Sequence, residues 1–143
     1  TGMDYLDRVE TDWAFRIQLP IGSRVPFHCT ASGKTFLASL PMAKLKSFLA
    51  TLHLQAMTQN THVSTATLLT EIAQVRKNGY ALDQEEFMDD MVAIAVPVTD
   101  PKNRYIAALA FHGPTQRVTI SDAIKSKELL QSAARRISES LFD

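Results

Sequence analysis

The chain has 143 residues, with 45% hydrophobic and 21% charged side chains, enough apolar material to bury a core and far from the composition of a disordered segment. Fifteen Lys and Arg balance fifteen Asp and Glu, so the formal charge is zero, which disfavours direct binding of this stretch to nucleic acid. The longest uninterrupted apolar run, Met91 to Val98, contains a proline and falls far short of the ~20 residues needed to cross a bilayer.

The predicted elements begin with two extended segments, Met3 to Val9 and Ala14 to Leu19, followed by a turn around Pro20, Gly22 and Pro26. Thr30 then caps a helix of about nine residues that carries Phe36, Leu37 and Leu40 on one face and stops at Pro41. Gly33 falls inside that helix, where glycine is a poor fit. Met42, Leu45, Phe48, Leu49 and Leu52 recur at helical spacing, as do Leu68, Ile72 and Val75, with Ser64 as the start and Gly79 as the left-handed stop of the later helix. Residues 55–62 form the connecting loop.

Tyr80 to Leu82 reads as a short strand, and Asp83 with Glu86 three residues on reads as a capping pair for one helical turn. Met91 to Val98 and Arg104 to His112 are apolar and partly β-branched; Thr99-Asp100-Pro101-Lys102-Asn103 joins them at hairpin length, so they are expected to pair antiparallel. Gly113-Pro114 is expected to break the second strand. From Ser121 onward, Ile124, Leu130, Ala134, Ile137 and Leu141 trace the inner face of one long amphipathic helix. Strands and helices mix without βαβ alternation, which predicts an α+β fold with an antiparallel sheet covered by helices.

Four patterns bear on chemistry. Gly33-Lys34-Thr35 opens a helix, but a phosphate loop needs a further glycine at the position held by His28, so nucleotide binding is not expected. The same helix start, with small residues at Ala31, Ser32 and Gly33, can hold one small anion on its free backbone N–H groups unless Thr30 or water takes them. His28 and the lone Cys29 are adjacent, point to opposite faces of an extended segment, and so share neither a metal nor a proton; Cys29 reads as a small buried hydrophobe, and the scattered histidines predict no metal. Asp83, Glu85, Glu86, Asp89 and Asp90 form an acidic cluster explained largely by capping and solvation, with Asp83 set apart as a candidate ligand contact because it lies at an element boundary. Arg24 and Arg76 read as structural partners of carboxylates.

The stretches IGSRVPFHCTASGKTFLASLP, LLTEIAQVRKNGYALDQEEF and IAVPVTDPKNRYIAALAFHGPTQR, taken together, resemble the effector-binding domain of IclR-type bacterial transcription regulators. The likeness runs over nearly the whole chain and rests on Gly22, Arg24, Pro26, Ala31, Gly33, Lys34, Val75, Arg76, Gly79, Tyr80, Asp83, Glu86, Ala95, Pro97, Val98 and Gly113-Pro114 in order. It implies a GAF-like fold, residues 1–143 forming one domain in which a curved antiparallel sheet, flanked by helices, encloses a pocket for a small organic acid effector. It also implies a separate N-terminal winged helix-turn-helix that reads operator DNA and is absent from this stretch. The likeness begins after the family's usual leading helix and a strand, so the domain is expected to be truncated at its N-terminus, leaving a sheet edge or gap.

Carried over by residue, the resemblance places the effector's carboxylate on the backbone of Ala31, Ser32 and Gly33, gives Asp83 a polar contact, and lines the site with Ile17, Val25, Met91 and Ala93. Many members have cysteine where this chain has Ala93, which makes room for a different or bulkier acid, aromatic or longer. The resemblance implies no enzyme activity, no cofactor, a homodimer or homotetramer, and contact with DNA only through the absent domain; the lone Cys29, which cannot form an internal disulfide, fits a cytoplasmic protein. Two other classes stand beside it. One is a GAF-like dimerisation module without ligand; the other is a small hydrolytic enzyme using Asp83 or the His28-Cys29 pair, for which no nucleophile–base–orienter set is visible.

Overall fold

A computed structural model describes residues 2–9 and 20–143. Its elements are β1 (Met3–Asp4), β2 (Arg24–Val25), α1 (Ala31–Ser39), α2 (Met42–Thr51), α3 (Thr65–Asn78), β3 (Ala81–Gln84), β4 (Met91–Thr99), β5 (Tyr105–Pro114), α4 (Ile120–Lys125) and α5 (Lys127–Phe142). The expected first strand shrinks to Met3–Asp4, pairing antiparallel with β2, and an Arg24–Asp4 contact of 2.7 Å closes that ribbon at the surface. The second expected strand, Ala14 to Leu19, lies outside the described residues.

The three-stranded antiparallel sheet runs β3-β4-β5, and β4 is buried on both faces. Met91, Ala93 and Ala95 alternate with Val92, Ile94, Val96 and Val98, so the strand sends its small residues one way and its branched residues the other. The small face packs with Ala31 and Ala38 of α1, Val75 of α3 and Ala81 of β3. The branched face packs with Val118, Ala123, Leu130 and Ala134, from α4, α5 and the segment before them. The sheet is therefore sandwiched between α1 and α3 on one side and α4 and α5 on the other. Pro97 is tolerated in β4 because β3 pairs only with Val92 to Ala95, so no ladder bond to β3 is lost at residue 97.

The helix signals behave as their chemistry predicts. Thr30 caps α1, Ser64 caps α3, and Gly79 ends α3 with φ 78°. Gly33 is needed because a Cβ there would lie 2.4 Å from the carbonyl oxygen of Phe27, so only glycine lets α1 approach the segment that feeds it. A second core forms between α1, α2 and α3, where Phe27, Leu37, Leu45, Leu49, Leu68 and Ile72 are buried and Phe27, Phe36 and Phe48 pack ring on ring.

Three expectations are corrected. Gly113-Pro114 does not break the second strand: Gly113 faces Val92 and Pro114 faces Met91, and proline is tolerated on β5 because it is an edge strand of the described sheet. The single C-terminal helix is two, because Thr119 and Asp122 form a capping box for α4 and Ser126 closes it before α5 begins. The turn expected after Asp83 is not helical: residues 85–88 form bends and 89–90 a turn, with Glu85 and Asp90 at positive φ.

Candidate functional site

The site is built where α1 begins over the small face of the sheet. The hydroxyl of Thr30 donates to the carbonyl of Pro26 at 2.6 Å and accepts the N–H of Gly33 at 3.1 Å. The Gly33 amide is therefore taken by the cap, and the amides without an intrahelical partner in this turn are those of Ala31 and Ser32. Ala31 is buried, Ser32 is half-buried, and no acidic residue in the first turn neutralises the helix end.

Across the sheet, Asp83 on β3 stands opposite Ala93 on β4, and Ala93 stands opposite His112 on β5. Directly opposed residues share a face. Asp83, Ala93 and His112 thus form one row beneath α1, and Ala93 packs in the same cluster as Ala31. Asp83 is 1% exposed; its Oδ1 accepts the Glu86 N–H at 2.8 Å, while its buried Oδ2 has no hydrogen-bond partner. Burial pushes this carboxyl up to about 7, the Glu86 charge adds to the rise, and the amides of Glu86 and Phe87 together with Lys34 oppose it. Buried polar atoms are nearly always paired in folded proteins. Asp83 Oδ2 is thus an exception that calls for a physical account, as is the α1 start without an acidic residue.

Two neighbours escaped the sequence reading of the site. Burial and then the charge of Asp83 raise the Tyr5 phenol above its ordinary value. Burial, followed by Asp83 and Glu86, raises the Cys29 thiol to about 12, so it remains a neutral thiol and not a nucleophile. Tyr5 comes from an extended segment with no motif, and Cys29 carried only its burial as a signal. Of the other sequence candidates, Met91 and Val25 are buried, Met91 on the same sheet face, and Ile17 lies outside the described residues. His28 is buried with its Nε2 at 2.8 Å from the carbonyl oxygen of Gln55, engaged apart from Cys29.

The acidic cluster is corrected at Glu86, which is neither solvated nor a helix cap. It is buried, and both carboxylate oxygens meet the fully buried Lys34 ammonium at 2.9 and 3.1 Å. Glu71 lies 3.5 Å from the same ammonium, and the His62 Nε2 sits 3.6 Å from Glu71 and 3.7 Å from Glu86. Among the described residues no cluster of His, Cys, Asp and Glu has the arrangement of a metal site. Arg76 is corrected as well: its guanidinium donates to the carbonyls of Ala38 and Leu40, capping the end of α1 in place of pairing with a carboxylate.

Residues 1–139 match the family model described as bacterial transcriptional regulator IclR C-terminal. The chain belongs to the IclR C-terminal family. Among the curated relatives of this IclR domain, the probable transcriptional regulator SauR of Cupriavidus necator is 43% identical over 116 residues, 81% of this chain and 46% of SauR. The chain spans about half the length of the curated relatives it matches. The crystal structure of Thermotoga maritima IclR superposes with a TM-score of 0.88 at 30% identity, covering 96% of this chain and 56% of that one. The inducer-binding domain of an Acinetobacter PobR double mutant, in complex with 3-hydroxybenzoic acid, superposes with a TM-score of 0.80 at 31% identity, covering 83% of this chain and 69% of that one. The homologues of this IclR domain are transcription regulators, and its helix-and-antiparallel-sheet fold is that of their effector domains. No helix among the described residues is long and apolar enough to cross a membrane.

Proposed function

We propose that this domain senses a small organic acid and that the ligand sits between the N-terminus of α1 and Asp83. The observation that carries the reading is the buried Asp83 Oδ2 without a partner, on the sheet row beneath a helix whose first turn has no acidic counter-charge. The ligand's carboxylate is held by the amides of Ala31 and Ser32 and by the helix dipole. Gly33, whose amide is occupied by Thr30, contributes the close backbone approach that places those two amides. A second ligand oxygen accepts a hydrogen bond from the protonated Asp83 carboxyl. Met91 and Val25, both buried, supply apolar wall, and alanine at position 93, opposite Asp83 and His112, is smaller than the cysteine of many relatives, which favours an aromatic or longer acid. The bound 3-hydroxybenzoic acid of the related PobR domain supports this chemistry.

Binding shifts the balance between arrangements of attached DNA-binding domains, a shift limited by the ligand's differential affinity for those states. On this reading the domain does no chemistry itself and acts in the cytoplasm as a homodimer or homotetramer, with DNA contacted by a winged helix-turn-helix outside these residues. A thermal-shift screen against keto acids, hydroxy acids and aromatic acids tests it. A ligand present at about 100 times its dissociation constant stabilises the fold by ~2.7 kcal/mol. A reproducible rise confined to one chemical group of acids is expected; a flat panel at millimolar acid would overturn the reading in favour of a module without ligand.

A further inference from the structure

Lys34 lies one helical turn beyond Ala31 on α1 and is completely buried. Its ammonium spans to Glu86, which follows β3 and is tied to the site at several points. The Glu86 N–H donates to Asp83 Oδ1 at 2.8 Å, its Oε2 accepts the N–H of Gln84 at 3.0 Å, and its carbonyl accepts the Thr61 hydroxyl at 2.6 Å. Removing two charges from water is costly, and an apolar pair of similar volume would usually serve stability as well or better. What an apolar pair would not do is fix direction, because the ion pair and its hydrogen bonds add a directional tie between α1 and the residue 83–86 turn to the apolar packing of α1 on the sheet.

We propose that Lys34 and Glu86 are positioning residues for the effector site, a brace that sets the spacing between the two ends that grip the ligand, the start of α1 and the Asp83 carboxyl. The inference rests on that site being where the acid binds, yet neither side chain touches the ligand. The groups that face Asp83 are Lys34 from α1, Glu86 from its own turn, Cys29 ahead of α1, Tyr5 after β1, and His112 across the row on β5. The Glu86 charge favours a protonated Asp83 and the Lys34 charge favours an ionised one, so the brace also balances the proton on that carboxyl.

Two ligand-free measurements test the brace. In the first, the Asp83 side-chain carbon is followed by NMR against pH. Glu86→Gln is expected to move its midpoint down and Lys34→Met up, each by at least about threefold in proton affinity. Two variants that merely loosen the core would move it in one direction. In the second, Lys34→Met/Glu86→Leu replaces the pair with apolar side chains and keeps the fold accessible should Lys34→Met alone fail. The amide of position 86, which needs no Glu side chain to reach Asp83, is then expected to exchange at least about tenfold faster while the β4–β5 amides keep their protection. Unchanged midpoints in the folded single variants, or wild-type exchange at position 86 in the folded double variant, would overturn the brace. Because no ligand is involved, that failure leaves the acid-binding reading standing, and a flat acid panel leaves these results untouched.

Discussion

At the scale of single residues, Asp83 decides most. Its carboxyl is raised from 3.8 to about 7 by burial, so between those values the native chain holds a proton that the unfolded chain has released. The stabilisation is fully present below pH ~4 and is lost as pH rises through ~7, a contribution of up to about 4 kcal/mol. Asp83→Asn keeps an oxygen for the Glu86 amide and removes the titration. Urea denaturation from pH 4 to 8 is therefore expected to show the variant gaining on the wild type as pH rises, whereas a constant difference would mean that Asp83 ionises normally in the fold. The same proton governs the ligand: acid affinity should be level between about pH 5 and 6, where the ligand is still a carboxylate, and fall above 7, and Asp83→Asn should remove that fall. The sequence shows Asp83 at an element boundary followed at a three-residue spacing by Glu86. It does not show that one oxygen of the carboxyl would be left over, because that depends on α1 and β4 closing around it. Lys34 is the clearest residue that sequence reasoning missed, since a lysine in a helix reads as a solvated side chain unless its inward neighbours, Ala31 and Leu37, are weighed with it.

At the scale of elements, local chemistry was legible wherever one residue type has one conformational use. Thr30, Ser64 and Gly79 end their helices where capping rules place them, and the apolar run of β4 with the Asp100 turn predicts the hairpin, which forms with a shift in register at Val98 and Thr99. The break at Ser126 was not legible, because the apolar spacing runs on through it and the Thr119–Asp122 capping box is short and easily read as loop. The strand after Ala110 outlasts its glycine and proline because pairing with Met91 and Val92 outweighs their local preference. Gly33 gives a direct test of how α1 is seated. Gly33→Ala brings a methyl group to 2.4 Å from the Phe27 carbonyl, where something must shift, and overpacking of this kind costs about 1–3 kcal/mol. Ordinary helix propensity would make the same change stabilising by up to about 1 kcal/mol. Thermal unfolding thus separates the two accounts by sign, a lower midpoint supporting the close approach and a higher one refuting it.

At the scale of the whole molecule, the balanced charge and the two-sided covering of one antiparallel sheet suit a domain that binds a small molecule inside itself. The family was legible because its signals are dispersed along the entire chain, at turns, caps and close approaches that are hard to satisfy together by chance. The ligand was not, because the residues of the proposed site come from positions far apart in sequence: Tyr5, Ala31, Asp83, Ala93 and His112 each lie on a different element or segment. A central claim follows, that the acid lies between the start of α1 and Asp83 and nowhere else on the domain. Ser32 is half-buried in the first turn of α1, and a bulky side chain there is expected to obstruct the proposed site. The direct measurement is a calorimetric titration of the acid found in the screen into the wild-type domain and into Ser32→Trp, with circular dichroism confirming that both are folded. The account predicts heat and a saturating isotherm for the wild type and none for Ser32→Trp; equal affinity for both would place the ligand elsewhere and contradict it.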